Sequence, residues 1–262
     1  MHDLPILQAI DSVQPEPEKV RTLGTISRLL SYPGDHYLQL VELLYLLVQA
    51  ELPEAARGVS DFGQYVEQCT EHELEEAYTR TFDVNPACAL EIGWHLFGED
   101  YMRGQFLVRM RRELAVYDIP ESNELPDHLT HALAVIAAMS DDDARAFAHA
   151  CVFPALHKMQ SALDKTQAPY RHLIHCLIAV MEQYYGPSEP WGENDERLLR
   201  NADSFPGQNG PRPQGLKDPL RSYPNPGAIL SGQIDLVSLH LQYPAAPNGS
   251  APSQAQCPEV EI

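Results

Sequence analysis

A chain of 262 residues is long enough for one or two domains with a sizeable core, and its 37 Asp and Glu against 18 Lys and Arg leave a formal net charge of −19. So acidic a surface repels nucleic-acid phosphates and anionic lipid, and it attracts basic partners such as an arginine-bearing peptide. The five cysteines (Cys69, Cys88, Cys151, Cys176, Cys257) are odd in number and form no CxxC pair, which speaks for reduced thiols in the cytoplasm and against a disulfide scaffold or a zinc ribbon.

The first twenty residues, MHDLPILQAIDSVQPEPEKV, have neither the basic start nor the apolar run of a secretory signal, and no stretch approaches the roughly 20 apolar residues of a membrane span. Helical patterning then begins. PEKVRTLGTISRLLSYP sets Val20, Leu23, Ile26 and Leu30 near one face and stops at Pro33-Gly34. HYLQLVELLYLLVQA, residues 36–50, is apolar on most faces and predicts a central helix. EHELEEAYTRTF, residues 71–82, lines up Leu74, Ala77, Tyr78, Thr81 and Phe82 on one stripe, with glutamates in the first half where negative charge suits the helix dipole.

PACALEIGWHLF opens on a proline suited to a first turn and ends at Gly98. YMRGQFLVRMRRELAVYDI follows, with Met102, Phe106, Met110 and Leu114 at helical spacing. Three further helical stretches complete the body: PDHLTHALAVIAAM, DDDARAFAHACVFPALHKMQSAL and PYRHLIHCLIAVMEQYY. No alternating strand pattern or Asn-Gly hairpin signal precedes residue 185, so the expected fold is all-α, a single bundle of roughly eight or nine helices over residues 1–185. Residues 186–262 hold twelve of the 22 prolines and eight of the 15 glycines, which bars long regular elements. This tail reads as extended or disordered, with 227–243 as a possible docking segment.

Chemistry-bearing motifs are few. His128 with His131, and His172 with His175 and Cys176, share helix faces, but neither set has the ligand spacing of a zinc protease or of a di-metal bundle. There is no GxSxG elbow, no recognisable catalytic cysteine and no phosphate-binding glycine loop, so no catalytic residue, no metal site and no cofactor is assigned. The densest polar stretch is NELPDHLTH, residues 123–131. Pro126 at the first helical position and Asp127 in the first turn would start a helix, with Leu125 tucked into the core. That leaves Glu124 and His128 at a junction partly open to solvent, where a carboxylate could pair with an incoming guanidinium.

In order along the chain, YTRTFDV, WHLFGEDYMRGQFLVRMRRELAVYDI, NELPDHLTHALAVIAAM and HACVFPALHKM resemble the TorD/DmsD/NarJ family of molybdoenzyme maturation chaperones, the NarJ-like branch most of all. The resemblance implies a non-enzymatic, cytoplasmic, all-helical chaperone. Its partner would be the apo catalytic subunit of a molybdopterin oxidoreductase, gripped by a twin-arginine signal peptide or N-terminal segment while cofactor is inserted. Carried over by position, Tyr78 and Phe82 would be an aromatic pair on the binding helix, Gly98 the loop glycine, and Asp127 with His128 the polar pair at a hinge turn beside Glu124. A monomer or a helix-exchanged dimer is expected. Two other readings stay open: a helical metal- or haem-binding protein, and a structural subunit retained in an oxidoreductase complex.

Overall fold

The computed structural model describes residues 17–189, and among them it is helical throughout with no strand. The elements are α1 (Glu18–Leu29), α2 (Tyr37–Val48), α3 (Pro53–Gln68), α4 (Glu71–Tyr78), α5 (Ile92–Phe97), α6 (Tyr101–Val116), α7 (Leu129–Ala138), α8 (Asp141–Phe147), α9 (Phe153–Thr166) and α10 (Arg171–Tyr185). A π turn, Thr79–Asp83, prolongs α4, and a second, Ala148–Val152, fuses α8 and α9 into one rod. Residues 1–16 and 190–262 lie outside the described residues, and with them all but the first four residues of the Pro/Gly-rich tail, including its segment 227–243.

Local chemistry accounts for most boundaries. Thr70 and Glu73 form a reciprocal capping box at the start of α4, and Asp100 and Ser140 cap α6 and α8 through their side chains. Pro53 supplies the fixed φ at the start of α3. The stripe on α4 is buried along its whole length, from Leu74 to Phe82. The core centres on an aromatic cluster in which Tyr170 packs against Phe82 at 4.9 Å, Phe62 at 5.2 Å and Tyr78 at 6.0 Å between ring centroids. α3, α4 and α10 therefore meet at one set of rings.

Several expectations need correcting. The helix α3 is not among the elements expected from the sequence, although Ala56, Val59, Phe62, Gly63 and Val66 form its buried face. Its many polar and small residues diluted the apolar signal. α2 is not central: Leu43, Tyr45 and Leu46 are exposed, so its all-round apolarity reflects an open face. The helix in PACALEIGWHLF starts only at Ile92, because residues 90–92 are drawn into an antiparallel bridge, Glu91 opposite His128. Nor does Pro126 open α7. That helix begins at Leu129 with His128 as its cap, and Leu125 is 44 % exposed.

Candidate functional site

The bridge between residues 90–92 and 127–129 organises the site. Ile92 N–H donates to the Asp127 carbonyl at 3.0 Å, and Leu129 N–H donates to the Leu90 carbonyl at 2.8 Å, which sets Glu91 opposite His128. On one side of this bridge lies a cavity of about 290 Å³ lined by Tyr32, Tyr78, Phe82, Asp83, Ala89, Leu90, Glu91, Glu124 and His128. Its wall carries three carboxylates and no Lys or Arg, over a floor of aromatic rings.

Each aromatic is fixed by what surrounds it. Tyr78 is 4 % exposed and donates its hydroxyl to the Leu30 carbonyl. It packs edge-on against Phe82 at 5.1 Å and against the exposed Tyr32 at 5.5 Å. Burial and the nearby Asp83 and Glu124 hold its hydroxyl firmly protonated. The π turn closes with Val84 N–H donating to the Thr79 carbonyl at 3.1 Å, and this wider turn delivers Phe82 to the core and Asp83 to the exposed cavity edge.

Asp127 is buried beneath this wall rather than on it. Its Oδ2 accepts from Gly93 N–H at 3.1 Å, so it caps α5, not its own helix. Arg103 Nε stands 3.9 Å from the same oxygen, while Oδ1 has no hydrogen-bond partner among the described residues. Burial pushes its carboxyl up to about 6; Arg103 opposes that shift and Glu91 reinforces it. Gly93 is required here, since a Cβ would sit 2.5 Å from Asp127 Oδ2 and 2.9 Å from Phe106 Cδ1.

His128 is 4 % exposed, not partly open, and its Nδ1 lies 2.7 Å from Thr130 Oγ1. Burial, with His131 beside it, lowers its pKa to about 4, so the ring is neutral near pH 7 and leaves the carboxylates uncompensated. His131 has both nitrogens committed: Nδ1–H donates to the Leu125 carbonyl, and Nε2 accepts from Ser122 N–H. The two rings stand 6.4 Å apart, and among the described residues no group of three or more His, Cys, Asp and Glu converges as a metal site would need. His175 is engaged with Asp164 at 2.9 Å.

Of the six residues singled out by sequence, the fold brings Tyr78, Phe82, Glu124 and His128 to one cavity and places Asp127 behind it. Gly98 ends α5 with φ of 59°, a conformation suited to glycine, and does not line the cavity. Tyr32, Asp83 and Glu91 were missed. Asp83 directly follows Phe82, and an acid one residue beyond the aromatic pair was the available signal; Glu91 and Tyr32 carry none.

No described helix is long and apolar enough to cross a membrane. The family model of the nitrate reductase delta subunit matches residues 35–175, more than half of the chain. The chain is also 25 % identical over 174 residues to the probable nitrate reductase molybdenum cofactor assembly chaperone NarJ of Bacillus subtilis (strain 168), a match covering 62 % of this chain and 88 % of that protein. All the cavity residues except Tyr32 fall inside the matched span, and the chain belongs to the nitrate reductase delta subunit family.

Proposed function

We propose that this protein is a cytoplasmic, non-catalytic assembly chaperone. It would bind the apo catalytic subunit of a nitrate reductase or related molybdopterin oxidoreductase by a basic twin-arginine or N-terminal segment while the molybdenum cofactor is inserted. Family membership supports the chaperone reading, as does the similarity to a protein described as a molybdenum cofactor assembly chaperone. The cavity carries the peptide reading. Asp83, Glu91 and Glu124 offer acceptors for guanidinium groups, and Tyr32, Ala89 and Leu90 offer apolar surface for the residues beside them. Asp127 acts in this reading as a positioning residue: it holds the Gly93 amide and the bridge that brings Glu91 alongside His128. The net charge of −19 steers a basic peptide toward the protein.

Calorimetry of the full chain against a synthetic twin-arginine leader tests this. The Glu91→Gln/Glu124→Gln double variant is expected to bind about tenfold more weakly, a loss of about 1.4 kcal/mol, and a Lys-Lys leader to bind more weakly than the Arg-Arg one. No binding to any precursor peptide, or identical affinities across these arms, sinks the reading. The family's description as a subunit supports a second reading, retention in the mature complex. This chain in stoichiometric amount in purified mature enzyme would establish it.

A further inference from the structure

Tyr32 is the one cavity residue that precedes the family match, and at 55 % it is the most exposed of the aromatic rings there. Its backbone is fixed from both sides. Leu30, two residues earlier, is fully buried, and its carbonyl accepts the Tyr78 hydroxyl. Pro33 is buried on the other side and holds the residue before it in an extended conformation. The Tyr32 ring meets Tyr78 at 5.5 Å with the two planes 73° apart, so it stands nearly upright on the aromatic floor. A ring standing so, with more than half of its surface free, offers a flat π face at the cavity wall. Negative charge gathers around it. Glu75 and Asp83 lie close enough to the Tyr32 hydroxyl for their charge to be felt there, and Asp83, Glu124 and Glu91 do the same at the Tyr78 hydroxyl.

We infer that Tyr32 makes this cavity prefer arginine to lysine, by stacking its ring on one guanidinium of the basic segment. The inference rests on the peptide-binding reading above. A guanidinium is flat: its N–H donors lie in its own plane and its two faces are weakly hydrated. One face can lie on the Tyr32 ring while the in-plane donors reach Asp83 and Glu124, so the two attractions add rather than compete. A lysine ammonium is compact and strongly hydrated, and it gains the carboxylates but less from the ring. Carboxylates alone attract both cations, and the upright ring separates them. A cavity of about 290 Å³ is at the small end for ligand sites and suits one such side chain rather than a length of peptide.

Calorimetry of the full chain against the twin-arginine leader and its Lys-Lys counterpart tests this, with Tyr32→Leu and Tyr32→Phe as variants and circular dichroism to show that each is folded. Tyr32→Leu keeps an apolar side chain without a π face, and it should weaken the Arg-Arg leader about fivefold more than the Lys-Lys leader. Tyr32→Phe keeps the ring and should keep the preference. Proton NMR adds a readout that a merely structural role would not move: arginine side-chain protons of the bound leader should shift upfield in the ring current of the parent, and that shift should be lost in Tyr32→Leu. An Arg-Arg to Lys-Lys ratio unchanged in Tyr32→Leu, or equal weakening of both leaders, overturns the inference and leaves the peptide-binding reading standing. Failure of the parent to bind either leader overturns both.

Discussion

Replacing Asp127 by asparagine separates the two roles its position suggests. The carboxylate is fully buried, accepts one backbone hydrogen bond, and stands 3.9 Å from a partly exposed arginine. Its pKa lies at about 6 against 3.8 for an unperturbed aspartate. The raised value means the folded state holds its proton more tightly than the unfolded chain does. Ionisation therefore costs stability as pH rises from about 4 to about 6, and the cost is constant above that. About two pKa units at 1.36 kcal/mol each put the cost near 3 kcal/mol at pH 8, an upper figure. Asparagine keeps an acceptor for the Gly93 amide and carries no charge, so Asp127→Asn should be up to about 3 kcal/mol more stable than the parent at pH 8. The gain should fade to nothing below about pH 4. Asp127→Ala removes the acceptor as well and should fall below Asp127→Asn by about 1–3 kcal/mol at every pH, because a buried N–H loses its partner. Urea unfolding followed by circular dichroism, from pH 4 to 8, measures all three proteins. If Asp127→Asn is less stable than the parent at pH 8 by more than 1 kcal/mol, attraction to Arg103 outweighs burial and the reasoning is wrong. The first-turn role inferred from sequence would have made both substitutions nearly harmless, at about 0.3–1 kcal/mol.

Two further expectations follow from the same junction. Gly93→Ala puts a methyl group 2.5 Å from Asp127 Oδ2 and should destabilise by about 1–3 kcal/mol despite alanine's better helix propensity, read as a lower urea midpoint. His128 shows the opposite pH sign to Asp127: its pKa is depressed to about 4, so its contribution is complete above about 6.5 and is lost as pH falls toward 4. His128→Asn keeps a capping acceptor for Thr130 N–H but does not titrate, and its stability relative to the parent should rise as pH drops from 7 to 4. A difference that stays flat over that range would mean His128 is not buried neutral.

The helical class was legible because period-3.6 apolar stripes run through most of the body, and those of α1, α4, α6 and α10 become buried faces. Tyr78 and Phe82 share one stripe with Leu74 and Ala77, which placed them on an inward helix face, but their place at the site came from the family resemblance alone. Glu124 and His128 stood out by their density of polar groups. α3 escaped because its inward positions are separated by polar and small residues, and α2 was misplaced because an apolar sequence does not say which of its faces finds a partner.

What depended on long-range contact was out of reach of any local pattern. Glu91 and His128 are 37 positions apart and share a wall only because two backbone hydrogen bonds join residues 90–92 to 127–129. The same contact decided what Asp127 does. Next to Pro126 and ahead of an apolar run, its sequence context fits a helix start, yet the nearest free N–H group belongs to Gly93 on another helix. Periodicity reports how a segment meets its own neighbours along the chain, and it settled the helical class. Which helix ends face one another is set by packing, and that packing made a carboxylate-edged cavity out of residues that no spacing connects.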